Sequence, residues 1–207
     1  MIQRILTKRI LPAAIIDRLD DAVPLAEALL AGGLDIIEIT FRTEAAAESI
    51  RQVSKKFPEM LVGAGTVLTD VQLARAIDAG AKFCVAPGLN PDLILKSDAA
   101  KIPFVPGVAT PTEVDRAINA GCQILKFFPA EALGGVKMLK ALAGPFAHTG
   151  VKFIPTGGVD GANAKTYLDL PIVAAVGGSW MLSPALIKAK NWAEITRLTR
   201  EALALVG

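Results

Sequence analysis

A lysine lies in the middle of the apolar segment 124–128. Lysine is almost never fully buried without a partner, so packing alone does not explain this residue. In a strand, side chains alternate between two faces, which places Lys126 opposite Leu125 and Phe127, two residues suited to contact with helices. Burial favours the uncharged amine, and an uncharged amine attacks carbonyl carbon. The segment therefore predicts Schiff-base chemistry at Lys126, with a structural ion pair as the alternative.

A carboxylate occupies a similar position in the apolar segment 34–40. Alternation directs Ile37 and Ile39 toward helices and Glu38 toward the opposite side. A buried carboxylate is costly unless it is paired or functional. Arg42 follows the segment and has the planar geometry that holds a substrate carboxylate through two hydrogen bonds. The alternative is that Glu38 pairs only with Arg42 or with another neighbour, such as the lysine.

Paired glycines follow two later apolar segments. Thr156, Gly157 and Gly158 follow one of them, and Gly178 and Ser179 lie at the end of the next. Such turns leave backbone N–H groups open to an anion, and the corresponding loops of α/β barrels commonly bind phosphate. We predict a phosphate site here. The alternative is that the glycines only supply the positive φ angles of tight turns.

Composition and charge exclude several other functions. The 207 residues are 52% apolar and 20% charged, and 22 basic against 20 acidic residues give a net charge of +2. Because the basic residues form no long run, neither nucleic-acid nor membrane-surface binding is expected. The only histidine, His148, leaves no material for a histidine-based metal centre or a Ser-His-Asp triad. We predict no metal and no cofactor.

The cysteines and the termini favour a cytoplasmic protein. Cys84 and Cys122 lie far apart in apolar stretches, which indicates buried reduced thiols rather than a disulfide. The apolar segment 10–16 superficially resembles a secretory signal, but the charged segment 17–21 follows it without a small-residue cleavage site. The longest uncharged stretch, 170–187, is interrupted by glycines and prolines and is not expected to span a membrane.

Short apolar runs alternate with amphipathic stretches along the whole chain. Eight strands are predicted, at 10–16, 34–40, 61–64, 82–86, 102–105, 123–128, 152–155 and 172–177. Helix starts are predicted at Thr43 and Thr110. Eight βα units favour an α/β fold with a (β/α)₈ TIM barrel as a single domain, 1–207, and an open doubly wound sheet is the alternative. In a barrel, the carboxyl ends of the strands carry the chemistry.

The residues described above resemble a known family, the class I 2-keto-3-deoxy-6-phosphogluconate (KDPG) aldolases, including those also named for 4-hydroxy-2-oxoglutarate. The similarity extends over nearly the whole chain. The segments that carry it are 37–44, 62–67, 86–89, 125–131, 155–158 and 177–180. The segments with the lysine and with the glutamate and arginine are specific, whereas the glycine turns alone would not be.

The resemblance implies a homotrimeric barrel enzyme that reversibly cleaves KDPG to pyruvate and glyceraldehyde 3-phosphate without a metal. Lys126 matches the family's Schiff-base lysine, and Glu38 matches its proton-transferring carboxylate. The groups that match the pyruvate pocket are Arg42, Thr66, Pro87 and Phe128. The groups that match the phosphate end are Thr156, Gly157, Gly158, Gly178 and Ser179.

The segment 17–20 departs from the basic pair that often follows the first strand in this family and leaves Arg18 as the only local cation. The preferred aldehyde therefore stays open between glyceraldehyde 3-phosphate, glyoxylate and a galactonate-series substrate. Two other kinds of protein remain as alternatives: a phosphate-binding barrel isomerase or epimerase, and a non-catalytic sugar-phosphate binding protein. Neither would use a buried lysine as a nucleophile.

Overall fold

The computed structural model describes residues 2–206. Within them lie nine β-strands: β1 (Ile10–Ala14), β2 (Ile36–Thr40), β3 (Leu61–Gly65), β4 (Cys84–Val85), β5 (Phe104–Val105), β6 (Gly107–Val108), β7 (Ile124–Phe127), β8 (Lys152–Pro155) and β9 (Val176–Gly178). Each of the eight predicted strands overlaps at least one of these.

Ten α-helices alternate with the strands in the same residues: α1 (Ile2–Lys8), α2 (Ala22–Ala31), α3 (Ala46–Lys56), α4 (Asp70–Asp78), α5 (Pro91–Ala99), α6 (Pro111–Asn119), α7 (Gly135–Ala143), α8 (Ala164–Leu168), α9 (Pro184–Lys188) and α10 (Trp192–Ala204). Three 3₁₀ turns add Leu19–Asp21, Gly144–Thr149 and Trp180–Leu182. The N-terminal α1 was not predicted, because its seven residues are too few to establish a helical period.

All the strand pairs are parallel and form two sheets, one in the order β5-β4-β3-β2-β1-β9 and the other in the order β6-β7-β8. From β1 to β5 and from β6 to β8, strands that are consecutive in the sequence are neighbours, and β9 lies beside β1. A doubly wound sheet would instead reverse its strand order. The prediction of an α/β fold is therefore confirmed.

The hydrogen-bonded ladders differ from the single closed eight-stranded sheet that was predicted. The segment 102–105 continues past Pro106 as β6, so that one predicted strand becomes two. Proline has no N–H group and cannot continue a ladder. At the other boundary, β8 meets the β9 region only through the isolated bridges Phe153–Val173 and Thr156–Gly177.

Alternation along the strands separates two apolar cores, and the four residues predicted to face helices all lie in the outer one. Ile37, Ile39, Leu125 and Phe127 belong to the large core between strands and helices. A smaller core fills the side enclosed by the sheets and consists mainly of residues near the amino ends of the strands: Leu11, Ile36, Leu61, Phe83, Val85, Val105, Ile124, Ile154, Ala174 and Ala175. Ile5 of α1 joins this inner core, so α1 covers the amino ends. The carboxyl ends are left for polar groups.

The two predicted helix starts have different outcomes. Thr110 caps α6, where its hydroxyl accepts from the Glu113 N–H and the Glu113 carboxylate accepts in return from the Thr110 N–H. The prediction at Thr43 was wrong: α3 begins at Ala46, two residues after the predicted first helical residue, and the Thr43 hydroxyl donates instead to the Ile16 carbonyl at 2.6 Å. The Thr43 side chain therefore bonds to the loop after β1 instead of capping α3.

Glu113→Gln is expected to make the free energy of unfolding less dependent on pH in the acid range. Partial burial alone would raise the pKa of Glu113, but its bonds from Ala109 and Thr110 hold that pKa below the ordinary value of 4.5. A lowered folded-state pKa gives stability above about pH 4.5 that is lost as the pH falls through the folded value. Urea unfolding should show the variant about 0.5 kcal/mol less stable at pH 7, with the difference disappearing as the pH falls below the folded-state pKa.

Asp115→Asn is the matched control, since Asp115 lies on the same helix and its exposed carboxylate makes no hydrogen bond with the described residues. An equal effect of both variants at every pH would assign the change to general helix charge and would contradict the role given to Glu113.

No helix in residues 2–206 is both long and apolar enough to cross a membrane. Both thiols are free, with Cys84 buried and Cys122 half-buried. Burial raises the pKa of Cys84 to about 12 and that of Cys122 to about 11. The thiol form is therefore strongly favoured at neutral pH. The prediction of a buried thiol is confirmed for Cys84, whereas Cys122 is only half-buried.

Candidate active site

A cavity of about 250 Å³ opens at the carboxyl ends of the strands. All eleven residues predicted from the sequence lie on its wall: Glu38, Arg42, Thr66, Pro87, Lys126, Phe128, Thr156, Gly157, Gly158, Gly178 and Ser179. Four lining residues were not predicted: Ala13, Ile15, Thr40 and Val159. Alternation could have found Thr40, which shares a face of β2 with Glu38. The other three are small or aliphatic and carry no chemical signal.

Lys126 and Glu38 face each other inside this cavity. Lys126 lies on β7 and Glu38 on β2, with side chains only 8% and 2% exposed. The Lys126 Nζ atom is 3.7 Å from Glu38 Oε1, and it lies 5.2 Å from the centre of the Phe128 ring. The separation is that of an ion pair but is too long for a hydrogen bond. Neither group is therefore held by a hydrogen bond to the other, and both face the cavity.

Gly65 provides the space that the Glu38 carboxylate occupies. A Cβ atom added to Gly65 would overlap with Glu38 Oε1 and lie 2.7 Å from its Cδ atom. The side chain of Glu38 is buried and cannot swing out to solvent, so any larger residue at this position must push the carboxylate aside. The small residue on β3 thus fixes the position of the carboxylate on β2.

Gly65→Ala is therefore expected to leave the fold intact and, with Glu38 in the proton-transferring role predicted above, to reduce turnover about 10–100-fold, because displacement of a catalytic group by about 1 Å costs about that much. Steady-state kinetics with circular dichroism would measure both. Gly144→Ala is the matched control, since an added Cβ atom there meets nothing within 4 Å. Equal turnover in the two variants would contradict a positioning role for Gly65.

Arg42 and Thr66 lie in the turns that follow β2 and β3. The Arg42 side chain is exposed and makes no ion pair with the residues that the structure describes, so the alternative pairing with Glu38 is not observed. Thr66 has a φ angle of 55°, a left-handed conformation that is rare for β-branched residues. Such strain, of about 1–3 kcal/mol, is concentrated at functional sites.

The Gly157-Gly158 turn combines the two predictions made for it. Its φ angles are 95° and 78°, so both glycines are needed for the backbone conformation. Their N–H groups, like that of Ser179, donate no hydrogen bond within residues 2–206. Free amide dipoles at the wall of a cavity are suited to an anion. The turn requires glycine and offers an anion site at the same time.

Thr156 is buried directly before this turn. Its Oγ1 atom is 3.3 Å from the Ile154 carbonyl. An added Cβ atom on Gly177 would overlap with the Thr156 hydroxyl, so the glycine of β9 makes room for it. The same arrangement, a polar side chain set against a glycine of the neighbouring strand, therefore occurs on two sides of the cavity.

The charges at the wall of the cavity come from Glu38, Arg42 and Lys126. Arg18 is not on the wall. Its guanidinium is exposed and lies 3.9 Å from Asp20 Oδ2. His148 is exposed in the 3₁₀ turn before β8. In the described part of the chain, no group of three or more His, Cys, Asp or Glu side chains could hold a metal ion.

Comparison with known proteins gives consistent matches over nearly the whole chain. The family model for KDPG and KHG aldolases, in which KHG stands for 4-hydroxy-2-oxoglutarate, matches residues 1–198. The KHG/KDPG aldolase of Escherichia coli K12 is 45% identical over 197 residues, which cover 95% of this chain and 92% of that relative.

Two solved structures are closely similar. The KDPG aldolase of Legionella pneumophila, crystallised with pyruvate as a covalent carbinolamine intermediate, has a TM-score of 0.93 and 42% identity over 97% of each chain. The KDPG aldolase of Zymomonas mobilis ZM4, crystallised with 3-phosphoglycerate, has a TM-score of 0.91 and 40% identity, covering 99% of this chain and 95% of that one. With a family model and relatives that extend over almost its full length, the chain belongs to the KDPG and KHG aldolase family.

Proposed function

We propose that this chain is a class I aldolase that reversibly cleaves KDPG to pyruvate and glyceraldehyde 3-phosphate. The observation that carries the proposal is the buried Lys126 amine, 3.7 Å from the Glu38 carboxylate at the carboxyl ends of the strands. A carbonyl nucleophile and a proton acceptor are the two groups that an aldol cleavage requires. The chemistry named in the L. pneumophila structure agrees with this assignment.

The reaction begins at Lys126. Its amine adds to the C2 carbonyl to give a carbinolamine, which takes up a proton and loses water to form an iminium ion. Glu38 is placed to accept the amine proton because it faces Nζ. The positive nitrogen then serves as the electron sink that a metal ion supplies in other aldolases.

Cleavage follows when Glu38 removes the proton of the C4 hydroxyl, directly or through a water. The C3–C4 bond breaks, its electron pair moves into the iminium group to form an enamine, and the C4 carbon leaves as an aldehyde. Protonation of the enamine at C3 and addition of water at C2 release pyruvate and restore the amine. One base therefore serves both the formation of the imine and the cleavage step.

The two ends of the substrate are assigned to opposite parts of the cavity wall. Arg42 and Thr66 hold the carboxylate, and Pro87 and Phe128 contact the methylene side of the pyruvate moiety. The phosphate is assigned to Thr156, Gly157, Gly158, Gly178 and Ser179, where the free N–H groups of the glycine turn support an anion. Because Arg18 is not on the wall, we assign phosphate affinity mainly to backbone N–H groups.

A further candidate substrate is 4-hydroxy-2-oxoglutarate (KHG), which would give pyruvate and glyoxylate; the name of the E. coli relative includes it. KDPG is favoured over it by the free amides at the phosphate end. A galactonate-series substrate differs in configuration at C4 and is the second candidate. Comparing kcat/KM for the three substrates would rank them.

We further propose that the two sheets act as one closed (β/α)₈ barrel in a single domain, 1–207, of which residues 1 and 207 lie outside the described part. The strand order and the bridges between β8 and the β9 region support closure. A cytoplasmic location, and the absence of nucleic-acid or membrane partners, remain predictions from charge and from the thiols.

A homotrimer is the proposed assembly. Leu68, Val71 and Leu95 are 51%, 67% and 66% exposed at the adjoining helices α4 and α5, where Lys96 pairs with Asp70. Exposed apolar patches of this kind mark protein interfaces. Sedimentation equilibrium would test the assembly, and a monomer at micromolar concentration would contradict it.

The activity is tested by treating the native protein with pyruvate and borohydride. Reduction of the imine should fix one pyruvyl group to the intact chain, and peptide mapping should find it on Lys126. An isomerase, an epimerase or a binding protein would form no such adduct, so its absence would refute the proposed function.

A further inference from the structure

The Gly157-Gly158 turn is held from the side away from the cavity by Asn163. The Asn163 Nδ2 group donates to the Gly158 carbonyl at 2.9 Å, while its Oδ1 atom accepts from the Asp160 N–H at 2.9 Å. One amide side chain therefore connects the glycine turn to the start of the next helix. Asn163 itself is not on the wall of the cavity.

A second connection reaches the turn through Glu131. The Glu131 N–H donates to the Gly157 carbonyl at 3.0 Å, and the Tyr167 hydroxyl donates to the Glu131 carboxylate. The Tyr167 side chain is fully buried. Burial and the neighbouring carboxylate both raise the pKa of this hydroxyl, so it stays a donor at neutral pH.

Both connections come from a single short helix. Asn163 immediately precedes α8 and Tyr167 lies in it, four residues later, which is about one helical turn. The carbonyls of Gly157 and Gly158 are thereby fixed toward the scaffold, while the N–H groups of the same two residues make no bond within residues 2–206. Hydrogen bonds to the two carbonyls therefore constrain the same turn that presents the free N–H groups.

We propose that Asn163 and Tyr167 are positioning residues that hold the Gly157-Gly158 turn in its anion-binding conformation. This inference rests on the proposed function for its substrate, since it assigns the turn to the phosphate of KDPG. Neither residue lies on the wall of the cavity, and none of their side-chain hydrogen bonds involves Lys126 or Glu38.

The physical reason lies in the freedom of the two glycines. Glycine has more backbone conformations than any other residue, so an unrestrained Gly-Gly turn would lose much entropy when it orders around an anion. Amide dipoles that are already oriented avoid that cost. Loosening the turn should therefore weaken binding of the phosphate without changing formation of the imine.

Tyr167→Phe and Asn163→Asp are the test variants. The first removes one hydroxyl and keeps the buried ring; the second keeps the acceptor for Asp160 but loses the donor to Gly158. We expect KM for KDPG to rise about tenfold in each, with kcat/KM for the phosphate-free 4-hydroxy-2-oxoglutarate within about twofold of wild type. Pyruvate trapping by borohydride should be unchanged.

Binding of inorganic phosphate, measured by calorimetry, should weaken by a similar factor in both variants. Thr166→Val is the matched control: it also removes one hydroxyl from α8, but this hydroxyl donates only to the helix's own Asn163 carbonyl. The control should match wild type in every assay. Circular dichroism and thermal unfolding would verify that each variant is folded.

Two results would overturn the inference: unchanged phosphate binding in both variants, or equal losses with the phosphorylated and the phosphate-free substrate. Failure of the proposed function has a different signature, namely no pyruvate adduct and no cleavage in the wild-type protein. In that case the phosphate titration alone decides whether the two residues position the turn.

Discussion

Lys126→Ala is expected to abolish the pyruvate adduct and to lower kcat for KDPG cleavage at least about 10⁴-fold, since loss of a covalent nucleophile removes the reaction path itself. No other amine lies on the cavity wall to replace it. The substitution leaves the buried Glu38 carboxylate without its partner, which lowers the free energy of unfolding, so circular dichroism must verify that the variant is folded. Intact-mass spectrometry after borohydride treatment and a coupled pyruvate assay measure the two effects.

Lys152→Ala is the control for this substitution. Lys152 begins the neighbouring strand β8, at the opposite end from the cavity, where its amine donates to the Pro171 carbonyl. It should keep both the adduct and the turnover. An adduct of undiminished yield in Lys126→Ala would place the nucleophile elsewhere and refute the assignment.

Glu38→Gln is expected to separate two steps that Lys126→Ala removes together. The amide keeps the size and the polarity of the carboxylate but accepts no proton, so turnover should fall about 10²–10⁴-fold, the usual contribution of a general base. The imine can still form, more slowly, because the nucleophile is present. Borohydride trapping over a time course and steady-state kinetics would follow the two steps.

Glu59→Gln provides the control, as its side chain makes no ion pair or hydrogen bond with the described residues. Unchanged turnover in Glu38→Gln would remove Glu38 from the mechanism. A complete loss of the adduct would assign it to formation of the imine alone.

Much of the site could be predicted from period and residue type. Strand alternation placed Lys126 and Glu38 on the enclosed face because each is flanked by aliphatic or aromatic residues that prefer helices as neighbours. The structure finds their charged atoms 3.7 Å apart. Positions of this kind are predictable because a charge in an apolar strand has few other physical explanations.

Features that depend on contacts between distant segments could not be predicted. The role of Gly65 follows from the position of a side chain on another strand, and Thr43 bonds to the Ile16 carbonyl instead of capping a helix. Similarly, the proposed roles of Asn163 and Tyr167 depend on their connection to the Gly157-Gly158 turn, which is direct for Asn163 and passes through Glu131 for Tyr167. The local sequence does not indicate such contacts, because they join segments that are far apart along the chain.

The cover that α1 forms over the amino ends of the strands has a kinetic consequence. With Ile5 and the inner core closing that end, the cavity has its mouth at the carboxyl ends, where Gly158 and Ser179 are exposed and Lys126 lies deep. The aldehyde must therefore depart before pyruvate can be hydrolysed from the lysine and leave. Release is ordered, so pyruvate should inhibit cleavage competitively and glyceraldehyde 3-phosphate noncompetitively.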